Sequence, residues 1–317
     1  MASQADLLFD PSPAQRSEPP PAAKWNRDSA RRALDELFTV ARQYNSSETY
    51  LELMKFIGKF RSYSPFNAML VHTQMPGARF VATANRWDRD FRRQIKVGGR
   101  PLIILQPMGP VLFVFDVADT EPLPDARPLP PWVERPFAVN SGEIGRELEQ
   151  TIENAKRDGV NVSERAHGSQ RAGSIEATGP GPYLEVTVVT RPHTVIHQVQ
   201  RRYELLLNSN LSRESRYATL AHELGHLYCG HLGTLDRKSW PDRRGLPIEI
   251  REFEAESVCY LVCARLGIQN PSAEYLAGYV RNYETTPPIS LDAVMKSSWL
   301  IEQMGRERLK VRAHGKN

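Results

Sequence analysis

The run Ala221-His222-Glu223-Leu224-Gly225-His226 contains the pattern His-Glu-x-x-His, which narrows what the chain can be more than any other stretch. On an α-helix, residues four apart share one face, so both imidazoles can grip one metal ion. Neutral imidazole nitrogen suits zinc. Glu223, one step round the helix, can accept a proton from a water that such a metal has acidified, which makes it the candidate catalytic base. The mostly apolar lead-in Tyr217-Ala218-Thr219-Leu220-Ala221 predicts that this stretch is helical.

A zinc ion that acts on a substrate usually has three protein ligands and one position left for water. In metzincin-type sites the third ligand would be a His at 232. That position is Leu232, Cys229 stands where their glycine belongs, and His231 is one residue out of register. A Glu from a later helix, the gluzincin arrangement, fits better, and Glu252, Glu254 and Glu256 are the candidates. On a helical wheel, Ala255, Val258, Cys259, Val262 and Cys263 form the buried stripe. Glu252 falls nearest that stripe, Glu256 lies beside it about one turn on, and Glu254 points away; the alternative for all three is a solvated acidic face at a helix start. The expected metal ligands are therefore His222, His226 and Glu252 on Zn2+, with Glu256 as partner to a ligating imidazole. His193 and His197 are also four apart, but Thr194 replaces the Glu and Thr194-Val195-Ile196 is β-branched, so they read as strand or loop histidines.

At 317 residues the expectation is two domains. Residues 1–24, with Pro11, Pro13 and Pro19-Pro20-Pro21 among small polar residues, predict a disordered tail. Residues 25–130 form the first expected domain: a helix from Arg27 to Ala41, a second from Ser46 that Pro65 ends, and a hairpin of Pro101-Leu-Ile-Ile-Leu105 and Val111-Leu-Phe-Val-Phe115. The proline-rich stretch 121–131 reads as a semi-rigid linker at its end. Residues 131–317 form the second domain, with a helix near 141–157, a glycine-rich turn region at 173–182, strands at 183–189 and 203–207, and helices at 219–228, 252–266 and 291–309. The expected fold class is α+β: N-terminal helices plus a small β-sheet, then a gluzincin-like metallopeptidase domain built on the HExxH helix.

No apolar run is long enough to span a bilayer and no basic-then-apolar start resembles a signal peptide, so a cytoplasmic chain with no membrane partner is expected. Cys229, Cys259 and Cys263 lack the CxxC pairing of a zinc ribbon, which predicts reduced, packed thiols. The net charge of +4 is modest, but Arg86, Arg89, Arg92, Arg93, Lys96 and Arg100 crowd one segment against only Asp88 and Asp90. Trp87 and Phe91 lie among these cations, a combination that can neutralise phosphates while bases stack on rings. DNA contact is the expectation for this segment, and the alternative is a solvated charged turn beside a core Trp.

The run Ala218-Thr-Leu-Ala-His-Glu-Leu-Gly-His226, followed by Glu252-x-x-Ala255-Glu256, resembles the ImmA/IrrE metallopeptidase family over the C-terminal half. The N-terminal half, with Tyr63-Ser-Pro-Phe-Asn67, Trp87, Val97-Gly-Gly-Arg-Pro-Leu-Ile-Ile-Leu105 and Phe115-Asp116-Val117-Ala118-Asp119-Thr120, is similar to the N-terminal domain of ArdC-type antirestriction proteins. Those proteins place a single-stranded-DNA-binding domain ahead of such a peptidase domain. The two resemblances together imply a zinc-dependent metallopeptidase-like protein with a DNA-binding module, acting on a protein or peptide substrate such as a repressor or another DNA-binding protein. The alternative is a non-catalytic, single-stranded-DNA-binding antirestriction or plasmid-maintenance protein whose zinc is structural, closed by a fourth protein ligand.

Overall fold

Ser46, Ser64, Thr83, Ser212 and Ser290 each accept a hydrogen bond from the backbone N–H three residues on, and each starts a helix by satisfying a donor that the first turn would leave unpaired. The computed structural model describes residues 44–312 apart from 45, 107–108, 127, 130–132, 134–142, 167–171, 191–192, 235 and 270–271. The expected tail at 1–24, the helix at 27–41 and part of the linker lie outside the described residues. The chain divides into two compact units, Met1–Val139 and Asn140–Asn317.

In the first unit, α1 (Ser47–Lys59) and α2 (Pro65–Gln74) precede β1 (Val81–Ala82), α3 (Ala84–Phe91), β2 (Arg93–Ile95), β3 (Leu102–Gln106), β4 (Gly109–Asp116), a 3-10 turn at Val117–Asp119 and β5 (Thr120–Pro122). Pro65 opens α2, a helix the sequence reading omits, because a proline at the first helical position lacks only an N–H that would be unpaired anyway. One sheet runs β1-β4-β3 and a second pairs β2 with β5, both antiparallel. Glu121 and Pro122, expected to begin a linker, instead pair with Gln94 and Arg93.

Side-chain amides close the outer edge of β3. Asn67 Nδ2 donates to the Leu105 carbonyl at 3.0 Å while its Oδ1 accepts from the Leu105 N–H at 2.9 Å. Gln74 makes the same pair of bonds with Ile103, at 2.8 and 2.9 Å. An edge satisfied in this way no longer offers that stretch of backbone to another strand. Asp116, which is buried, accepts from the N–H groups of Arg79, Phe80 and Ala118. The Ser64-Pro-Phe-Asn67 and Phe115-Asp116 motifs are thus local scaffolding.

Trp87 sits in the core with Phe80, Ala82, Phe91, Val117 and Val133. Its side chain is 0% exposed, its Nε1–H donates to the Phe115 carbonyl at 2.9 Å, and Phe80 meets it edge-on with centroids 5.5 Å apart. The expectation that a base stacks on Trp87 is therefore overturned: its alternation with cations reflects one helical face turned inward and the other to solvent. We predict that Trp87→Ala lowers the stability of this unit by about 3 to 5 kcal/mol through the cavity it leaves. Urea denaturation followed by circular dichroism measures this, and a loss under about 1 kcal/mol would contradict the core assignment.

The second unit runs α4 (Glu147–Ala155), a 3-10 turn at Lys156–Asp158, β6 (Val160–Arg165), β7 (Gly173–Ala177), β8 (Tyr183–Thr190), β9 (His193–Gln200), β10 (Tyr203–Asn208), α5 (Arg213–Tyr228), α6 (Ile248–Leu266), α7 (Ser272–Asn282) and α8 (Leu291–Arg306). β10 is central, parallel to β6 and antiparallel to β7, while β8 and β9 form a separate antiparallel hairpin. The turn expected to begin at Gly173 is in fact β7: pairing of Ile175 with Leu205 overrides a weak local preference. His193 and His197 lie on β9.

Helix α6 is buried on most of its surface, including Phe253, Glu254, Ala255, Val258, Leu261, Val262 and Arg265. The single-stripe wheel fails there, and Glu254, expected to point away from the buried stripe, is 0% exposed. All three cysteines are buried and none forms a disulfide. Among the described residues no helix is long and apolar enough to cross a membrane.

Candidate metal centre

Helix α5 buries Tyr217, Leu220, Ala221, Leu224 and Leu227, which turns the interleaved His222, Glu223 and His226 toward the partly open side. At Gly225 a Cβ would lie 3.3 Å from the Val258 Cβ and 3.4 Å from the Ala255 Cα. The missing side chain allows α6 to approach closely, and that crossing delivers the carboxylates one turn upstream.

His222 Nε2 lies 3.2 Å from His226 Nε2, and the Glu252 carboxylate stands 3.6 Å from each of them. Four ligands arranged tetrahedrally at the zinc–nitrogen distance of about 2.0–2.1 Å would be about 3.4 Å apart, so this donor set fits one zinc-sized ion. Nδ1 of His222 faces Glu256 Oε1 at 3.6 Å. The side chains of His222, His226 and Glu252 keep 20%, 14% and 42% of their exposure, so the group is partly open to solvent.

The electrostatics of the group favour positive charge. Burial alone would lower the pKa of His222, but Glu252, Glu256 and Glu223 outweigh it and raise it to about 9. The two imidazoles hold the Glu252 carboxyl far below the usual carboxylate range. Burial raises the pKa of Glu223 against the opposing pull of His222 and His226. A proton on His222 would compete with a bound metal, so metal binding there would be coupled to proton release.

A second cluster, which the sequence reading dismisses, lies behind the first. Helix α5 ends at Tyr228, and Gly230, with φ of 86°, turns the chain back. A Cβ there would come within 2.2 Å of the Pro241 carbonyl, so only glycine fits. The Gly230 N–H donates to the Leu227 carbonyl and the His231 N–H to the His226 carbonyl, the paired bonds of a Schellman ending. That ending places the residue after the glycine against the residue five before it, and His231 Nδ1 consequently lies 3.0 Å from His226 Nδ1. Counting along an uninterrupted helix mistakes its position because the helix has stopped. The signal available in the sequence was the glycine directly before the histidine.

On its other side, His231 Nε2 meets Glu254 Oε2 at 2.9 Å, and Arg243 grips both oxygens of Glu254 at 2.6 and 2.7 Å. The Ser290 N–H also donates to Glu254, at 2.7 Å. Cys229, His231 and Glu254 bring possible ligand atoms within 4.8 Å of one another, but the Arg243 cation already occupies that carboxylate. Burial, aided by the Glu254 charge, pushes the Cys229 thiol up to about 12, so it stays protonated.

In the first unit, Arg86 and Arg89 pair with Asp90, and Arg92 with Asp88 and Asp125. Arg93 turns inward to Thr120, while Lys96 donates to the Ala118 carbonyl. Arg89, Arg92, Lys96 and Arg100 are exposed. The segment is thus less positive than its sequence suggests, because Asp125 joins it from a distance.

Residues 183–263 match the peptidase family described as the IrrE N-terminal-like domain, a span that runs from β8 through α5 to Cys263 and contains His222, Glu223, His226 and Glu252. The C-terminal unit therefore carries a domain of this family, in agreement with the resemblance read from the sequence. An uncharacterized protein of Bacillus anthracis is 22% identical over 306 residues, covering 81% of this chain and 47% of its own length, so the chain spans about half of that relative. Two crystal structures of the antirestriction protein ArdC from the R388 plasmid are also similar. The metal-free form is 16% identical with a TM-score of 0.35, covering 77% of this chain and 82% of its own. The Mn(II)-bound form is 15% identical with a TM-score of 0.34, covering 77% and 84%.

Proposed function

We propose that the C-terminal unit is a zinc-dependent metallopeptidase domain in which His222, His226 and Glu252 hold the metal and Glu223 is the general base. The observation that carries this reading is the convergence, at 3.2 to 3.6 Å, of two imidazole nitrogens from the helix that also presents Glu223 and one carboxylate from α6. Zinc bound there would act as a Lewis acid toward a peptide carbonyl and acidify a water. Glu223 takes the proton from the attacking water and passes it to the departing amine, since one carboxylate can serve as base and then acid. Glu256, facing Nδ1 of His222, orients that imidazole. Tests on repressor-like and other DNA-binding proteins should show cleavage that stops when the protein is stripped with a chelator and returns with added zinc. Cleavage by rigorously metal-free protein would contradict the reading.

A second activity rests on the exposed cations of the first unit. We propose that Arg89, Arg92, Lys96 and Arg100 contact the backbone of single-stranded DNA, with no stacking on Trp87. The ion pairs of Arg89 and Arg92 with Asp88, Asp90 and Asp125 are exposed, and such pairs contribute about 0–1 kcal/mol, so phosphates can displace them. Affinity of the full chain for an oligonucleotide should fall with salt, and Arg89→Ala with Arg100→Ala should reduce the logarithmic slope by about 1.4 if each touches one phosphate. An unchanged slope would remove these two residues from the interface.

A further inference from the structure

We infer that Arg243, Glu254 and His231 form a buried relay that fixes the tautomer of His226, making His231 a positioning residue for the metal. The inference rests on the metal-site reading above and extends it to residues outside the His-Glu-x-x-His pattern.

The two nitrogens of His226 face different partners. Nε2 looks toward His222 Nε2 at 3.2 Å and Glu252 at 3.6 Å, whereas Nδ1 looks toward His231 Nδ1 at 3.0 Å. A ligating Nε2 must offer its lone pair, which leaves the His226 proton on Nδ1. That N–H then donates to His231, whose Nδ1 must be the acceptor and whose proton must sit on Nε2. His231 Nε2 in turn donates to Glu254 Oε2 at 2.9 Å.

Glu254 closes the chain in one direction only. Its oxygens accept from two nitrogens of Arg243, a permanent cation, and from the Ser290 N–H. A carboxylate surrounded by these donors can accept from His231 but has no proton to give. The order of donors is therefore dictated from Arg243 outward, and it ends with a free lone pair on His226 Nε2. His231 and Glu254 have side-chain exposures of 1% and 0%, so water cannot replace a missing partner. The counterpart at His222 is looser: Glu256 stands 3.6 Å from Nδ1 with 23% of its side chain exposed. Partners in this outer position typically change metal affinity by about ten- to a hundredfold when removed.

Two variants separate this role from simple packing. An Asn at 231 puts its amide oxygen near the place of Nδ1 and keeps an acceptor for His226, while a Gln reaches the place of Nε2 and keeps the link to Glu254. Zinc affinity of full-length protein, measured by competition with a chromophoric chelator, should stay within about fivefold of wild type for His231→Asn and weaken about ten- to a hundredfold for His231→Gln. Equal affinities, or the reverse order, would overturn the inference. If either variant fails to fold, nitrogen NMR of the wild-type histidines decides instead. With zinc bound, His226 should carry its proton on Nδ1 and His231 on Nε2. A proton on His231 Nδ1 would overturn the relay while leaving the metal site intact. Zinc that perturbs neither His222 nor His226 would remove the metal reading, and the relay with it.

Discussion

His222→Ala and His226→Ala should each reduce zinc affinity by more than a hundredfold, so that purified protein carries little metal where wild type carries about one ion per chain. Disturbing only an outer partner of a ligand costs about ten- to a hundredfold, and deleting one of three ligands must cost more. The loss should be the same in kind for both residues, because their Nε2 atoms lie 3.2 Å apart and face one carboxylate. Elemental analysis after dialysis against a weak chelator measures the effect. Retention of a full zinc complement by both variants would place the metal elsewhere.

Glu223→Gln should have the opposite signature, with metal content kept and turnover lost. The substitution preserves shape and leaves all three proposed ligands in place. It also replaces the only acidic side chain that α5 presents between the two imidazoles with one that cannot accept a proton. Loss of a general base costs about a hundred- to ten-thousandfold, so cleavage of any substrate established for wild type should fall by at least the lower figure. A variant that cleaves as fast as wild type would exclude Glu223 from proton transfer.

What the sequence revealed of this site depended on how local the determining physics is. The spacing of His222 and His226 is set by helical geometry alone, and the Ser46 cap acts within one turn, so both could be read directly. Glu252 needed one further inference, a helical wheel, and the structure does bring it to the imidazoles. The same wheel misplaced Glu254, because α6 is packed on several sides and an acid can be buried where Arg243 and His231 satisfy it. His231 was hidden by the end of a helix, beyond which periodicity carries no information and the Gly230 turn decides. Trp87 shows the reverse error: a ring among cations looks like a stacking platform until tertiary contacts show which face is inside. β7 and the parallel pairing of β6 with β10 depend on partners distant in sequence, and no local pattern announced them.

The most direct measurement is diffraction from zinc-loaded crystals on either side of the zinc absorption edge. The account predicts one anomalous peak per chain, within bonding reach of His222 Nε2, His226 Nε2 and the Glu252 carboxylate, with solvent as the remaining ligand. A peak at Cys229, His231 and Glu254, or one closed by a fourth protein side chain, would contradict it.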